Sequence, residues 1–177
     1  MGLKGLRSVS VEWNPGPKGR ALSFATWNID SLLARDGTKI YLIESVDTLH
    51  KFDMFGICES YLTENISNYL LGVKGFPPVP ERSDCKARGK AQGGACLYYK
   101  YHLSLKRRHD LETLDESIVV EINLNRKKIL FLLAYRSPSQ NSLEYQNFME
   151  NLTTFYDKAS LENPSTIIIT GDFNARS

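Results

Sequence analysis

Near the end of this 177-residue chain a carboxylate and an amide stand two residues apart, Asp172 and Asn174, just after the run Thr166-Ile167-Ile168-Ile169-Thr170-Gly171. The β-branched run reads as a buried strand covered on both faces. Gly171 breaks it, and an extended backbone beyond it turns Asp172 and Asn174 one way and Phe173 the other. A carboxylate and an amide are thus offered side by side at the mouth of a hydrophobic strand. A plain Gly-Asp turn after a strand would have the same sequence. Three more strand ends bear on the choice. Asn28 and Asp30 follow the strand pattern Ala21–Trp27, Glu59 follows Asp53–Cys58, and Tyr135 follows Lys128–Ala134. Polar groups at strand ends in an open α/β sheet can converge on one rim, where ligands bind.

The elements that must position these residues follow an α/β rhythm. Strand 21–27 is followed by the turn Arg35-Asp36-Gly37 and by a helix over 38–52, whose stripe is Ile43, Val46 and Leu49 with Tyr41, Leu42 and Phe52. Strand 53–58, a short helix over 65–71 and a long Pro-rich loop over 75–90 come next. Gln92-Gly93-Gly94 opens a strand over 95–100, which 103–106 continues or pairs with. Strands 117–124 and 128–134 are joined by a hairpin at Asn125-Arg126. Arg136-Ser137-Pro138-Ser139 is a turn, and a helix over 142–160 starts at the capping pair Asn141 and Glu144. Its stripe is Tyr145, Phe148, Leu152, Phe155 and Tyr156, and both helical stripes read as core.

Composition bounds the function. The length suits one domain or part of a larger one, and no apolar run approaches the ~20 residues that span a bilayer. The first ten residues lack the apolar core of a secretory signal. Three scattered cysteines, Cys58, Cys85 and Cys96, argue against a disulfide framework or zinc site and for a reducing compartment, nuclear or cytoplasmic. With only three histidines, His50, His102 and His109, any metal would take oxygen ligands and be magnesium or manganese. The net charge is +2, yet between Glu81 and Asp110 eight Lys/Arg face three acids. Such a stretch, with Arg82, Lys86, Arg88, Lys90, Arg107 and Arg108, can follow a phosphate backbone, and a solvated loop with a charged edge strand would read alike.

Residues 1–20 read as a leader outside the fold, with 21–177 as the domain. Within the leader, Val11-Glu12-Trp13-Asn14-Pro15-Gly16-Pro17 resembles the end of picornaviral ribosome-skipping peptides, with the break expected between Gly16 and Pro17. Ser10 stands where that pattern has an Asp.

Five segments in order, Thr26–Leu32, Cys58-Glu59-Ser60, Gly93-Gly94-Ala95, Ala134–Pro138 and Gly171–Ala175, resemble the endonuclease/exonuclease/phosphatase superfamily. More narrowly they resemble the apurinic/apyrimidinic-type endonuclease domain of non-LTR retrotransposons. The resemblance implies a deoxyribonuclease-I-like fold, a four-layer α/β sandwich of two mixed sheets flanked by helices. It implies magnesium- or manganese-dependent nicking of DNA, in an element that would also carry a reverse transcriptase, with no membrane partner. Glu59 matches the metal ligand, with Asp30 and Asn28 beside it. Asp172 matches the residue that orients or deprotonates water, Asn174 holds that water or a phosphate oxygen, and Tyr135 donates to the phosphate. The family pattern continues past this point with another Asn, further strands and a closing Ser-Asp-His, so the domain is expected to be incomplete at its C-terminus and impaired. Two other readings fit the same residues: a phosphatase acting on phosphoinositides or small phosphates, and a non-catalytic DNA-binding remnant.

Overall fold

A computed structural model of the chain describes residues 6–10, 21–34, 38–45, 49–85 and 93–174. Nine strands form two mixed sheets among these residues. In the first sheet β1 (Leu6–Ser10), β2 (Ser23–Asn28), β3 (Met54–Cys58), β5 (Ala95–Tyr99) and β4 (Glu81–Ser83) lie side by side in that order. The second runs β6 (Ser104–Arg107), β7 (Ser117–Leu124), β8 (Lys127–Tyr135), β9 (Thr166–Asp172). Two pairs are parallel, β2 with β3 and β8 with β9, and the others are antiparallel. Helices α1 (Thr38–Ser45) and α2 (Ser142–Leu161) complete the α/β sandwich.

Strict alternation along β8 explains the layers. Ile129, Phe131, Leu133 and Tyr135 enter the core between the sheets, while Leu130, Leu132 and Ala134 pack under Phe148, Phe155 and Ala159 of α2. Successive residues of a strand face opposite sides, so this continuous apolar run belongs to a strand covered twice. Phe24 of β2 meets Phe131 edge to face, with ring centres 5.2 Å apart, across the sheet interface. On the other face of the first sheet, Ala25, Trp27, Phe55 and Ile57 pack with Ile40 and Ile43 of α1. Each such side chain taken out of water contributes roughly 1.5–3 kcal/mol. The hairpin falls where the sequence puts it, with Asn125 and Arg126 both at positive φ, 52° and 64°, as a two-residue primed turn requires. The capping box of α2 also forms: Asn141 Oδ1 accepts from the N–H groups of Leu143 and Glu144, and the Glu144 carboxylate accepts from Asn141 N–H at 2.8 Å.

Several expectations are corrected. Residues 6–10 lie inside the fold, because their backbone pairs with β2 from Leu6↔Trp27 to Ser10↔Ser23. The skipping-like segment 11–17 lies outside the described residues. Of the helix expected over 38–52, Thr38–Ser45 is helical and Leu49–Lys51 is a 3-10 turn; residues 46–48 lie outside the described residues, and the expected stripe residue Tyr41 is exposed. Only Asn68–Leu71 of the next segment is helical, again as a 3-10 turn. The loop over 75–90 contains strand β4, held by the neighbouring β5. On α2, Tyr145 and Tyr156 face outward, while Phe148, Phe155 and Ala159, with half-buried Leu152, form the stripe. Strand β9 continues through Gly171 to Asp172 and is open on one side, with Ile169 exposed. The three cysteines are buried thiols. Among the described residues no helix is long and apolar enough to cross a membrane.

Candidate functional site

Register brings the four strand ends together. The parallel pairing of β2 with β3 sets Asn28 beside Cys58, and that of β8 with β9 sets Tyr135 beside Asp172. All four chains therefore leave their sheets at one rim. Parity then aims the side chains: Phe24 and Cys58 enter the core between the sheets, as do Phe131 and Ile168, and Asn28, Tyr135 and Asp172 keep the same parity.

The Asn28 amide is the hub. Its Nδ2 donates to Glu59 Oε1 at 2.9 Å and to Asp172 Oδ2 at 2.7 Å, while its Oδ1 accepts from Asp30 N–H at 3.2 Å. The Tyr135 hydroxyl, arriving from the other sheet, donates to the same Glu59 Oε1 at 3.0 Å. Burial first, and then this bond to a carboxylate, push the Tyr135 phenol above its ordinary range, so it stays a donor. Glu59 Oε2 accepts from the Tyr61 hydroxyl at 3.1 Å. The Tyr61 phenol is raised as well, by burial and then by Glu59, and its hydroxyl also faces Asp30.

The backbone around the rim is strained. Asp30, Ser31, Glu59, Tyr61 and Asn174 are non-glycine residues at φ of 50°, 73°, 55°, 53° and 43°. Such conformations cost on the order of 1–3 kcal/mol each and persist where the surroundings over-determine them. Here those surroundings are main-chain bonds: Ser31 N–H to Glu59 O at 2.7 Å, Leu32 N–H to Ser60 O at 2.9 Å and Tyr61 N–H to Gly93 O at 2.9 Å. Gly94, at φ +79°, admits this approach, for a Cβ there would stand 2.8 Å from Ser60 Oγ and 3.1 Å from the Ser83 carbonyl. The Gly-Gly step thus lets the Glu59 turn lie against the entry of β5.

Asp172 and Asn174 are fixed from the opposite side. Asn174 N–H donates to Asp172 Oδ1 at 3.2 Å, and its amide donates to the Arg136 carbonyl at 2.7 Å. Buried Arg136 returns the contact, donating to the Phe173 carbonyl at 2.5 Å and to the Asn174 carbonyl. Phe173 points away to meet Phe148.

The strand-end residues Asn28, Glu59, Tyr135 and Asp172 are thus joined directly, with Asn174 behind Asp172. Asp30 is exposed and meets the cluster through its backbone and Tyr61. Among the described residues no three His, Cys, Asp or Glu side chains gather as a metal-holding group. The basic residues are placed differently. Arg82, 15% exposed, bonds Asp84 and the Thr63 and Ile66 carbonyls. Arg107 joins Glu81 and Glu112, and Arg108 joins Asp110, Glu121 and Glu162. For these three, phosphate would have to compete with carboxylates of the chain itself. Lys86, Arg88 and Lys90 lie outside the described residues. The histidines bond elsewhere, His50 to the Glu44 carbonyl, His102 to Asp53 and His109 to Glu112.

Sequence reasoning missed Tyr61 and Arg136. Arg136 stood within a quoted segment, but Tyr61 lies two residues past Glu59 in a left-handed turn that no alternation rule foresees.

Comparison with known proteins follows the same outline. The family model described as "Endonuclease/Exonuclease/phosphatase family" matches residues 25–177. No curated protein matches the chain. Among solved structures, the endonuclease domain of TRAS1, a telomere-specific non-LTR retrotransposon, is 19% identical with a TM-score of 0.57, over 87% of this chain and 59% of that one. An AP endonuclease from Archaeoglobus fulgidus is 15% identical with a TM-score of 0.60, over 87% of this chain and 58% of that one. A 3′ phosphatase from Neisseria, bound to a product DNA hairpin, is 15% identical with a TM-score of 0.56, again over 87% and 58%. At these identities the likeness is one of fold, the deoxyribonuclease-I-like sandwich, and the chain spans less than two thirds of each of these relatives.

Proposed function

Because the chain belongs to the endonuclease/exonuclease/phosphatase family, we propose that its rim hydrolyses phosphodiester bonds in DNA, nicking one strand, as part of a retrotransposon-type protein. The observation that carries this reading is the Asn28 amide, which ties Glu59 of one sheet turn to Asp172 of the other sheet. Two carboxylates held by neutral donors leave negative charge that a divalent ion and a phosphate can share.

The donor set fits magnesium or manganese. It is all oxygen, and magnesium commonly takes one or two carboxylates and keeps several waters. Glu59 would hold the ion, with Asp30 or Asp172 near it, and the ion would supply charge neutralisation at the phosphate. The chain's residues do the remaining work. Asp172 keeps acceptor capacity on both oxygens, since each takes one donor. It can therefore orient a water and take its proton. Asn28 keeps Asp172 and Glu59 at a fixed spacing, and Tyr135, protonated and raised, can turn its hydroxyl to a phosphate oxygen. Asn174 fixes the chain behind Asp172. The DNA backbone is assigned to the basic stretch 82–108, with Arg82, Arg107 and Arg108 shaping the surface through their pairs with Asp84, Glu81 and Glu162. The likeness in fold to the TRAS1 endonuclease domain supports the retrotransposon setting, and a linked reverse transcriptase is part of the same proposal.

Glu59→Ala and Asp172→Ala are expected to abolish magnesium-dependent nicking of supercoiled plasmid by a chain that otherwise nicks, and undiminished nicking would sink the assignment. The Neisseria 3′ phosphatase among the similar folds favours a second reading, phosphate removal. Release of inorganic phosphate without plasmid nicking would select it.

A further inference from the structure

Glu59 is bonded more completely than a turn carboxylate needs to be. A carboxylate offers about four acceptor positions, two on each oxygen. Oε1 takes two donors, Asn28 Nδ2 at 2.9 Å and the Tyr135 hydroxyl at 3.0 Å. Oε2 takes one, the Tyr61 hydroxyl at 3.1 Å. A single position therefore remains, on Oε2, and Tyr61 defines which one. The side chain is placed for this by its own strained backbone, φ 53°, and by Tyr61 N–H donating to the Gly93 carbonyl at 2.9 Å.

Resting on the proposed role of Glu59 as a metal ligand, we propose that Tyr61 is a positioning residue that makes Glu59 a one-oxygen ligand and so selects a small octahedral cation, magnesium or manganese, over calcium. The chemistry is that of coordination number. Magnesium demands near-ideal octahedral geometry, which a single carboxylate oxygen and waters satisfy, whereas calcium takes six to eight oxygens and readily uses both oxygens of one carboxylate. In the DNA-free chain, where the Tyr135 hydroxyl stays on Oε1, that oxygen is filled and Oε2 is half filled, so a bidentate Glu59 is excluded. The phenol serves because its hydroxyl is a donor that brings no positive charge to compete with the cation. Groups behind metal ligands commonly set affinity by 10- to 100-fold.

The test is calorimetric titration of the full chain with Mn²⁺ and, separately, with Ca²⁺, which needs no turnover. Tyr61→Phe keeps the ring and removes the donor, and Tyr61→Gln keeps a donor and removes the ring. The expected result for Tyr61→Phe is Mn²⁺ affinity weaker by about 10-fold and a smaller Mn²⁺-over-Ca²⁺ ratio, with Tyr61→Gln recovering part of both. A Tyr61→Phe chain whose melting curve matches the wild type and whose ratio is unchanged overturns the inference, as does equal loss in both variants, which would mark a packing role. If Tyr61→Phe fails to fold, Tyr61→Gln decides: a wild-type ratio supports the hydrogen bond and a collapsed ratio overturns it. Wild-type binding that Glu59→Gln does not alter removes Glu59 as a ligand, and the proposed function falls with it.

Discussion

At the rim, Asn28 bridges Glu59 and Asp172 while Tyr61 and Tyr135 donate to Glu59, all three donors neutral; beside the C-terminus of α2, Asp110, Glu121 and Glu162 are gathered by Arg108 and Lys128. Both clusters join elements far apart in sequence, and both are partly shielded from water. They differ in where the balancing charge comes from. Arg108, 11% exposed, neutralises acids from β7, α2's cap and its own turn, so that cluster is complete within the chain. Its carboxyls are held well down the scale, Glu162 and Asp110 both to about 2, each chiefly by the Arg108 guanidinium. The rim carries two carboxylates with no Lys or Arg bonded to either among the described residues. Neutral donors can fix a carboxylate's direction without cancelling its charge, which leaves that charge for a ligand to meet. The contrast separates architecture from function better than burial or residue type does.

The comparison can be broken at either pole. The largest effect is expected from Asn28→Leu, which removes the neutral bridge and leaves two carboxylates unspaced: nicking should fall about 100-fold, measured as initial rate on supercoiled plasmid. Retention of the wild-type rate would mean that the bridge only caps strands. Arg108→Ala should act on stability instead, costing about 2 kcal/mol in urea unfolding because Asp110 and Glu121 lose their cation and Glu162 keeps Lys128 alone, while the metal requirement of nicking stays that of the wild type. A shift in that requirement would merge the two clusters. The smallest effect is in pH. Glu162 is depressed from 4.5 to about 2 in the folded chain, so its pairing stabilises fully above its unfolded value and is lost as pH falls from about 5 towards 2. Screening at a partly exposed site leaves roughly 1 kcal/mol of this. Melting temperature followed from pH 6 to pH 3 should drop, and more gently in Arg108→Ala; parallel curves would show that Glu162 contributes nothing there.

Much of the rim was legible because it obeys a local rule. Alternation along β8 delivers Tyr135 to the inner face, and alternation past Gly171 sends Asp172 inward and Phe173 to Phe148. The Asn125-Arg126 hairpin and the Asn141–Glu144 cap were equally local. What escaped was non-local or left-handed. Nothing in Leu6–Ser10 names its partner in β2. The guanidinium of Arg108 meets Glu162 54 positions away, so a basic stretch that reads as a phosphate track from sequence is partly an internal brace. Tyr61 was overlooked because a turn at positive φ redirects it.

The Asn28–Asp172 bond spans 144 positions and the Tyr135–Glu59 bond 76. Joining groups so distant in sequence carries a loop-closure entropy that the finished rim must offset. Until β9 has docked beside β8, Asp172 is remote from Glu59, and the early chain is spared the repulsion that its finished form holds in reserve.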